Sequence, residues 1–122
     1  MNGEGGTVLE VSPSGGSWTF NLLYSFSGVI NNGPIGAAAL SMDSQGNLYG
    51  TTFGNGAYNH GTVFKLSPSE NGWIYTDLHD FTGGDDGGAP WSDVVMDSEG
   101  NLYGTASGGG VNYGGTVWEI TP

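Results

Sequence analysis

The two histidines, His60 and His79, are the residues of this chain best suited to acid–base chemistry. Such catalysis needs a base oriented beside a nucleophile or a metal ion. His79 alternates with aromatic residues in a strand-like run, so we expect its side chain to pack. His60 has no histidine counterpart in the matching loop of the other copy, where Gly114 occupies its position. No serine nucleophile motif, paired-histidine spacing or phosphate-cradling loop accompanies them. The sequence therefore predicts no catalytic residue, no enzymatic activity and no cofactor.

Asp85 and Asp86 offer adjacent carboxylates to a metal ion, in the Gly- and Asp-rich segment 83–88. Calcium takes six to eight oxygen ligands, and its familiar twelve-residue loop spaces them differently. The first copy of this segment carries Asn31 and Asn32 instead. The pattern favours a solvated turn over a calcium site.

Three aromatic residues in predicted loops, Tyr58, Trp91 and Tyr113, could stack on sugar rings. Tyr58 and Tyr113 fall in equivalent glycine-rich loops. Trp91 stands where the first copy has the segment 34–37, which lacks an aromatic residue, so a ligand contact there would not repeat. A lectin-like carbohydrate-binding role is the alternative function that these residues indicate, by analogy between folds.

Charge excludes two classes of partner. The formal net charge is -11, with twelve acidic residues against Lys65 as the one base. Nucleic acids and anionic membrane surfaces both require cationic side chains, so neither is an expected partner.

No apolar run approaches the roughly 20 residues that span a membrane, so we expect no membrane insertion. There is no cysteine, and the start of the chain lacks the basic and apolar regions of a signal peptide. We therefore expect either a protein made without an export signal or a piece of a longer one.

An internal repeat organises the whole chain. The segment 42–51 returns at 96–105, and nine of eleven residues agree between 41–51 and 95–105. Gly-Thr-Val occurs at 6–8, 61–63 and 115–117, with offsets of 55 and 54 residues. We predict a single repeat domain over 1–122. Its first repeat covers about 6–60, its second about 61–114, and a partial third 115–122. A period near fifty residues is typical of propellers and arrays.

Four strand-like runs fit inside one period, and turns separate them. In the second copy, 62–66 is followed by 73–81, in which Trp73, Tyr75, His79 and Phe81 are predicted to share one face. The runs 93–96 and 101–106 flank an Asp-x-x-Gly segment that predicts a hairpin turn. The predicted fold is all-β, with four-stranded antiparallel propeller blades, two per chain. A β-sandwich is the competing architecture, although a sandwich has no need of identical strand pairs.

The repeated acidic residues of these turns, Asp43 and Asp97, are better explained by turn formation than by a site. Tyr49 and Tyr103 follow the turns, and we predict that they pack within the blades.

The repeat resembles the bacterial tandem repeats called GloVer repeats. The resemblance rests on Gly-Thr-Val-Phe-x-Leu at 61–66, the aromatic run 18–26, the Gly/Asp loop 83–88 and Met-Asp-Ser-x-Gly-Asn-Leu-Tyr-Gly-Thr at 96–105. It implies a propeller-type fold, a secreted or cell-surface parent protein and no enzymatic activity. The turn is also similar to that of NHL-type propellers. By that analogy 93–96 is the innermost strand, 101–106 the second, 115–120 the third and 73–81 an outermost one.

Two blades cannot close a ring, so the sequence predicts self-association. Exposed blade faces mark interaction surfaces, and rotational closure is the usual result of head-to-tail contact. We expect a homotetramer in preference to a homotrimer, with eight or six blades. Nine predicted strands leave the last, 116–120, in need of an outer partner, which the run 18–26 of the next chain could supply. One terminal strand should then be displaced. The predicted assembly residues are Thr7, Val8, Trp18, Phe20, Thr116, Val117 and Trp118.

Overall fold

The chain is all-β in a computed structural model that describes residues 4–27 and 39–122. Within these residues it forms ten strands and no helix, and therefore no helix that could cross a membrane. The strands are β1 (Glu4–Ser14), β2 (Ser17–Ser27), β3 (Ser41–Met42), β4 (Leu48–Thr52), β5 (Thr62–Ser69), β6 (Gly72–Asp80), β7 (Gly88–Pro90), β8 (Val95–Met96), β9 (Leu102–Gly108) and β10 (Thr116–Ile120). The candidate residues Asn31, Asn32 and 34–37 lie outside the described residues.

The strands form three antiparallel sheets. Strands β1 and β2 make a two-stranded N-terminal hairpin, and β3 to β6 make a four-stranded central sheet in chain order. The C-terminal sheet has β10 on one side of β9, and both β7 and β8 on the other. The predicted neighbour order of the four runs is therefore confirmed in the central sheet.

The Asp-x-x-Gly turns join β3 to β4 and β8 to β9 as predicted. One carboxylate oxygen of Asp43 accepts hydrogen bonds from the backbone N–H groups of Gln45 and Asn47, both at 2.9 Å. Gly46 has a φ of 82°, a left-handed conformation that suits glycine because it lacks a Cβ. The second turn, at 97–100, repeats this arrangement.

The two runs predicted to be innermost strands, 39–42 and 93–96, form shorter strands than predicted, and an additional strand replaces part of a predicted loop. The run 93–96 contributes only two residues to β8. Val94 is buried, and its carbonyl accepts a hydrogen bond from the Ser41 hydroxyl of the central sheet. Strand β7 pairs instead with the far end of β9, at Gly108 and Ala106. The nine predicted strands are therefore ten over the described parts of the chain.

The prediction that Trp73, Tyr75, His79 and Phe81 share one face is wrong. A register shift in the pairing of β5 with β6 makes Leu78 an extra residue, which reverses the side-chain alternation. Trp73 and Tyr75 consequently pack against one face of the central sheet, and Phe81 is buried at the other. The N-terminal hairpin carries a shift at the matching position.

The central sheet is packed on both faces, which builds two hydrophobic clusters. On the first face Val8 and Phe26 of the hairpin meet Phe64. On the second face Val63 meets the C-terminal sheet, including Trp118. Burial of these faces is the main favourable term available to a chain with so many glycines. Over residues 4–27 and 39–122 the result is three stacked sheets, of which only the central one is covered on both sides.

Candidate self-association surfaces

Each outer sheet is equivalent to a different part of the central sheet. The hairpin pairs β1 with β2 in the register of β5 with β6, including its shift, at an offset of 55 residues. The C-terminal sheet pairs β9 with β10 in the register of β4 with β5, at an offset of 54 residues. The hairpin thus has the third and fourth strands of a four-stranded unit, and the C-terminal sheet has the first three.

The outer face of the hairpin is apolar and exposed. Trp18 and Phe20 of β2 are 70% and 64% exposed, and their counterparts Trp73 and Tyr75 are covered by the hairpin. The remaining large apolar residues of this face are Leu9, Val11 and Leu22. An apolar surface of this kind on a folded chain marks a contact with another molecule.

The outer face of the C-terminal sheet centres on Val117. This residue is 82% exposed, whereas its counterparts in the other Gly-Thr-Val strands, Val8 and Val63, are buried at 3% and 0%. Val95 of β8 is also exposed. The same local sequence is therefore buried where a further sheet covers it, and it faces solvent at this end of the chain.

The predicted assembly residues divide into two groups in the structure. Trp18, Phe20, Val117 and Thr7 are exposed, and Thr116 is half-buried. Val8 and Trp118 are buried within the chain, against the central sheet. Leu22 and Val11 also lie on the exposed hairpin face, although neither was among the predicted assembly residues. The register shift between Leu22 and Tyr24 turns Tyr24 and Phe26 towards the central sheet.

A groove of about 280 Å³ runs along the free edge of β10. His79, Phe81 and Trp118 line it. In a matching groove between the hairpin and the central sheet, Tyr24, Phe26 and Thr62 take the places of His79, Phe81 and Thr116. Tyr75 and Asp77 of β6 form its outer wall. No strand pairs with the outer edge of β10 among the described residues, so the β10 groove lacks that wall.

The indole of Trp118 has an unusual environment in this groove. Its Nε1–H is buried without a hydrogen-bond partner among the described residues. The ring lies over Gly104 and contacts Phe81, with ring centroids 6.2 Å apart. A buried donor without an acceptor is costly, so the site is energetically incomplete in the isolated chain.

The carboxylates proposed for calcium are used differently. Asp86 accepts hydrogen bonds from the Thr82 backbone N–H at 3.0 Å and from the Thr82 hydroxyl, and it pairs with His79 Nε2 at 3.1 Å. Burial opposes ionisation, but these bonds hold the pKa of Asp86 below its ordinary value. No group of three or more potential metal-ligating side chains occurs among the described residues. Asp86 thus closes its own loop, and the exposed Asp85 lies beside it.

The three candidate aromatic residues occupy different settings. Trp91 is 60% exposed and contacts Phe53, with ring centroids 4.9 Å apart. Tyr58 and Tyr113 lie in the loops that follow β4 and β9, exposed at 56% and 89%. The two loops are equivalent, but Tyr58 and Tyr113 do not occupy equivalent positions in them. Asn59 is the residue that matches Tyr113, because both have a positive φ and the same backbone hydrogen bond. The structure therefore places the two tyrosines one residue out of step.

The repeated turns contain a hydrogen-bond network that sequence reasoning only partly found. Tyr49 packs against the second hydrophobic cluster. Tyr49 and Tyr103 each donate the hydroxyl to the turn carboxylate, at 3.1 and 3.0 Å. The side-chain amide of Asn47 donates to Asp43 at 2.7 Å and is the main reason why the pKa of Asp43 is lowered. The hydrogen bond to Asp97 raises the pKa of Tyr103 to about 12. The repeated Asp-x-x-x-Asn-x-Tyr spacing was the available signal.

The fold and its outer surfaces define a class: an all-β tandem-repeat protein whose antiparallel sheets follow one another along the chain. The family model of the Gloeobacter/Verrucomicrobia repeat matches residues 1–122. The chain therefore belongs to this family, and the predicted relation to GloVer repeats is confirmed. No curated protein matches it. No solved structure matches it either.

Proposed function

We propose that this protein is a non-enzymatic β-propeller repeat chain that assembles head to tail into a closed ring. The observation that carries the proposal is the complementarity of the two ends. The C-terminal sheet has three strands of a unit whose fourth strand exists, in matching register, in the hairpin of another copy. The stacking of three sheets, rather than the two layers of a sandwich, also supports propeller blades.

A head-to-tail contact fits the different character of the two ends. The hairpin presents Trp18, Phe20 and Leu22, and the C-terminal sheet presents Val117 and Val95. When the two ends join as one sheet, each exposed face would lie against a central sheet, and the same contact would repeat at every junction. Such a contact closes a ring when the rotation that relates neighbouring copies is a whole-number fraction of a full turn. We favour four chains and eight blades, because long blades suit wide rings, and three chains with six blades are the second arrangement.

Light scattering after size exclusion tests the proposal directly. A mass of three or four times 12.5 kDa would support a ring and choose its blade number. The measurement needs about 0.15 M salt or more, because copies with a net charge of -11 repel one another at low ionic strength. A monomer across the accessible concentration range, or a mass that continues to grow with concentration, would refute the closed ring.

Carbohydrate binding is the second candidate function. It is favoured by the exposure of Trp91, whose ring contacts Phe53, and of Tyr113. An exposed aromatic ring can stack on the apolar face of a sugar. The double variant Trp91→Ala with Tyr113→Ala should leave the solution mass unchanged and remove any glycan-array signal. Glycan signals equal to those of the unmodified chain would argue against these residues, and no signal from either protein would reject the function.

A further inference from the structure

We propose that β10 of one copy pairs with β2 of the next copy and displaces that copy's own β1. This inference rests on the proposed self-assembly and names the strand exchange that would accomplish it. The occupant of the β10 groove is thus a defined segment, Ser17–Ser27 of a second copy.

The first argument is that β1 and β10 are interchangeable partners for β2. Thr7, Val8 and Glu10 of β1 correspond to Thr116, Val117 and Glu119 of β10. In the hairpin Asn21 lies opposite Glu10, and its amide donates to the Glu10 carboxylate at 3.1 Å. In the same register Asn21 of the incoming strand lies opposite Glu119, which can accept the same hydrogen bond.

The second argument comes from burial. Val8 is covered by the central sheet of its own chain, whereas Val117 is 82% exposed. When β10 takes the place of β1 in the next copy, Val117 enters the position of Val8 and is covered by that copy's central sheet. The exchange therefore replaces one valine by another in the first hydrophobic cluster and covers the exposed one.

The third argument is the shape of the groove. Within the chain Tyr75 of β6 stacks on Tyr24, with ring centroids 4.8 Å apart and planes 13° apart. The counterparts at the next junction are Phe20 of the incoming strand and His79 of the receiving copy. Phe20 would thus supply the missing outer wall of the groove.

The identity of the displaced strand follows from Trp118. Its ring occupies space that Gly104 leaves open, since a Cβ at Gly104 would overlap the indole. If β1 replaced β10 on β9, Leu9 would stand at this position and leave part of the space empty, at the cost of a cavity. Leu9 is itself 44% exposed in the hairpin, so its release loses less packing. Strand β1 is therefore the one that leaves.

Paired cysteines in the full chain test the exchange, since the natural sequence has none. Residues that face each other in an antiparallel pair lie about 4.5–5.5 Å apart at Cα, within disulfide range. We expect the pair Asn21→Cys and Glu119→Cys to link neighbouring copies on oxidation, as seen on non-reducing gels. The off-register pair Ser25→Cys and Glu119→Cys is the control. Equal linkage in both pairs would overturn the proposed register.

A locked hairpin gives the converse test. Oxidation of the pair Glu10→Cys and Asn21→Cys joins β1 to β2 and should hold the chain as a monomer, with assembly restored by a reductant. If the oxidised protein assembles as the reduced one does, β1 stays in place, so the exchange is refuted while self-assembly stands. If the unmodified chain is a monomer at every concentration, both proposals fail.

Discussion

Removal of the Phe20 side chain should weaken assembly while leaving the isolated chain almost unchanged. Phe20 is 64% exposed on the hairpin face and is expected to be covered at each junction. Full burial of a phenylalanine side chain stabilises by about 1.5–3 kcal/mol. About two thirds of that is newly gained on assembly, or roughly 1–2 kcal/mol per junction. Phe20→Ala should therefore weaken each junction by about 5- to 25-fold.

The assay is the concentration dependence of the assembled fraction, by analytical ultracentrifugation or mass photometry. The midpoint for Phe20→Ala should move to higher concentration, while the thermal unfolding of the dilute monomer changes little. Tyr113→Ala is the matched control, because Tyr113 is 89% exposed but lies in a loop away from both outer faces. A midpoint that stays in place for Phe20→Ala, or moves equally for both variants, would refute the reasoning.

Two further predictions concern the stability of the fold itself. Gly104→Ala should destabilise the fold by about 1–3 kcal/mol, because the added Cβ overlaps the Trp118 ring. Gly114→Ala is the control, since a Cβ there meets open space. Thermal unfolding measures both variants, and equal melting temperatures would contradict the packing argument. The pKa values of Asp43 and Asp97 are lowered by hydrogen bonds from Asn47 and Asn101, so their stabilising contribution is present above the ordinary value of 3.8 and is lost as pH falls through the lower folded-state values. Melting curves from pH 6 down to about pH 2 should show this loss, and the double variant Asp43→Asn with Asp97→Asn should flatten it; an unchanged pH dependence would rule out the turns as its source.

Local features of the fold could be predicted because the signals for them are local. The Asp-x-x-Gly turns need only a carboxylate that accepts backbone N–H groups and a glycine at positive φ, and both are visible in the sequence. Because the same runs recur in both copies, the repeat also predicts the order of neighbouring strands, and the central sheet confirms that order. The same signal extends to the turn network, since Asn47 and Tyr49 recur at the same spacing from the turn aspartate.

The errors arise where a single backbone irregularity changes many side chains. The shift in β6 places Phe81 on the opposite face from Tyr75, and the matching shift in β2 places Phe26 on the opposite face from Phe20. Alternation in the sequence cannot reveal an extra residue, because every side chain after it changes face with no change in residue type. Strand β7 was missed for a related reason: Gly88 and Pro90 are typical of loops, and only the position of β9 makes them a strand.

The sequence by itself determined the repeat, the strand order and the turns, because each depends on contacts between residues close along the chain. Tertiary structure decided which copies of the same motif are buried. Gly-Thr-Val occurs three times, yet its valine is 3% exposed at Val8, 0% at Val63 and 82% at Val117. The local strand is alike in all three, and the difference lies in whether another sheet covers it. Burial is a property of neighbours distant in sequence, so the exposed Val117 and the groove beside it could be located only in the folded chain.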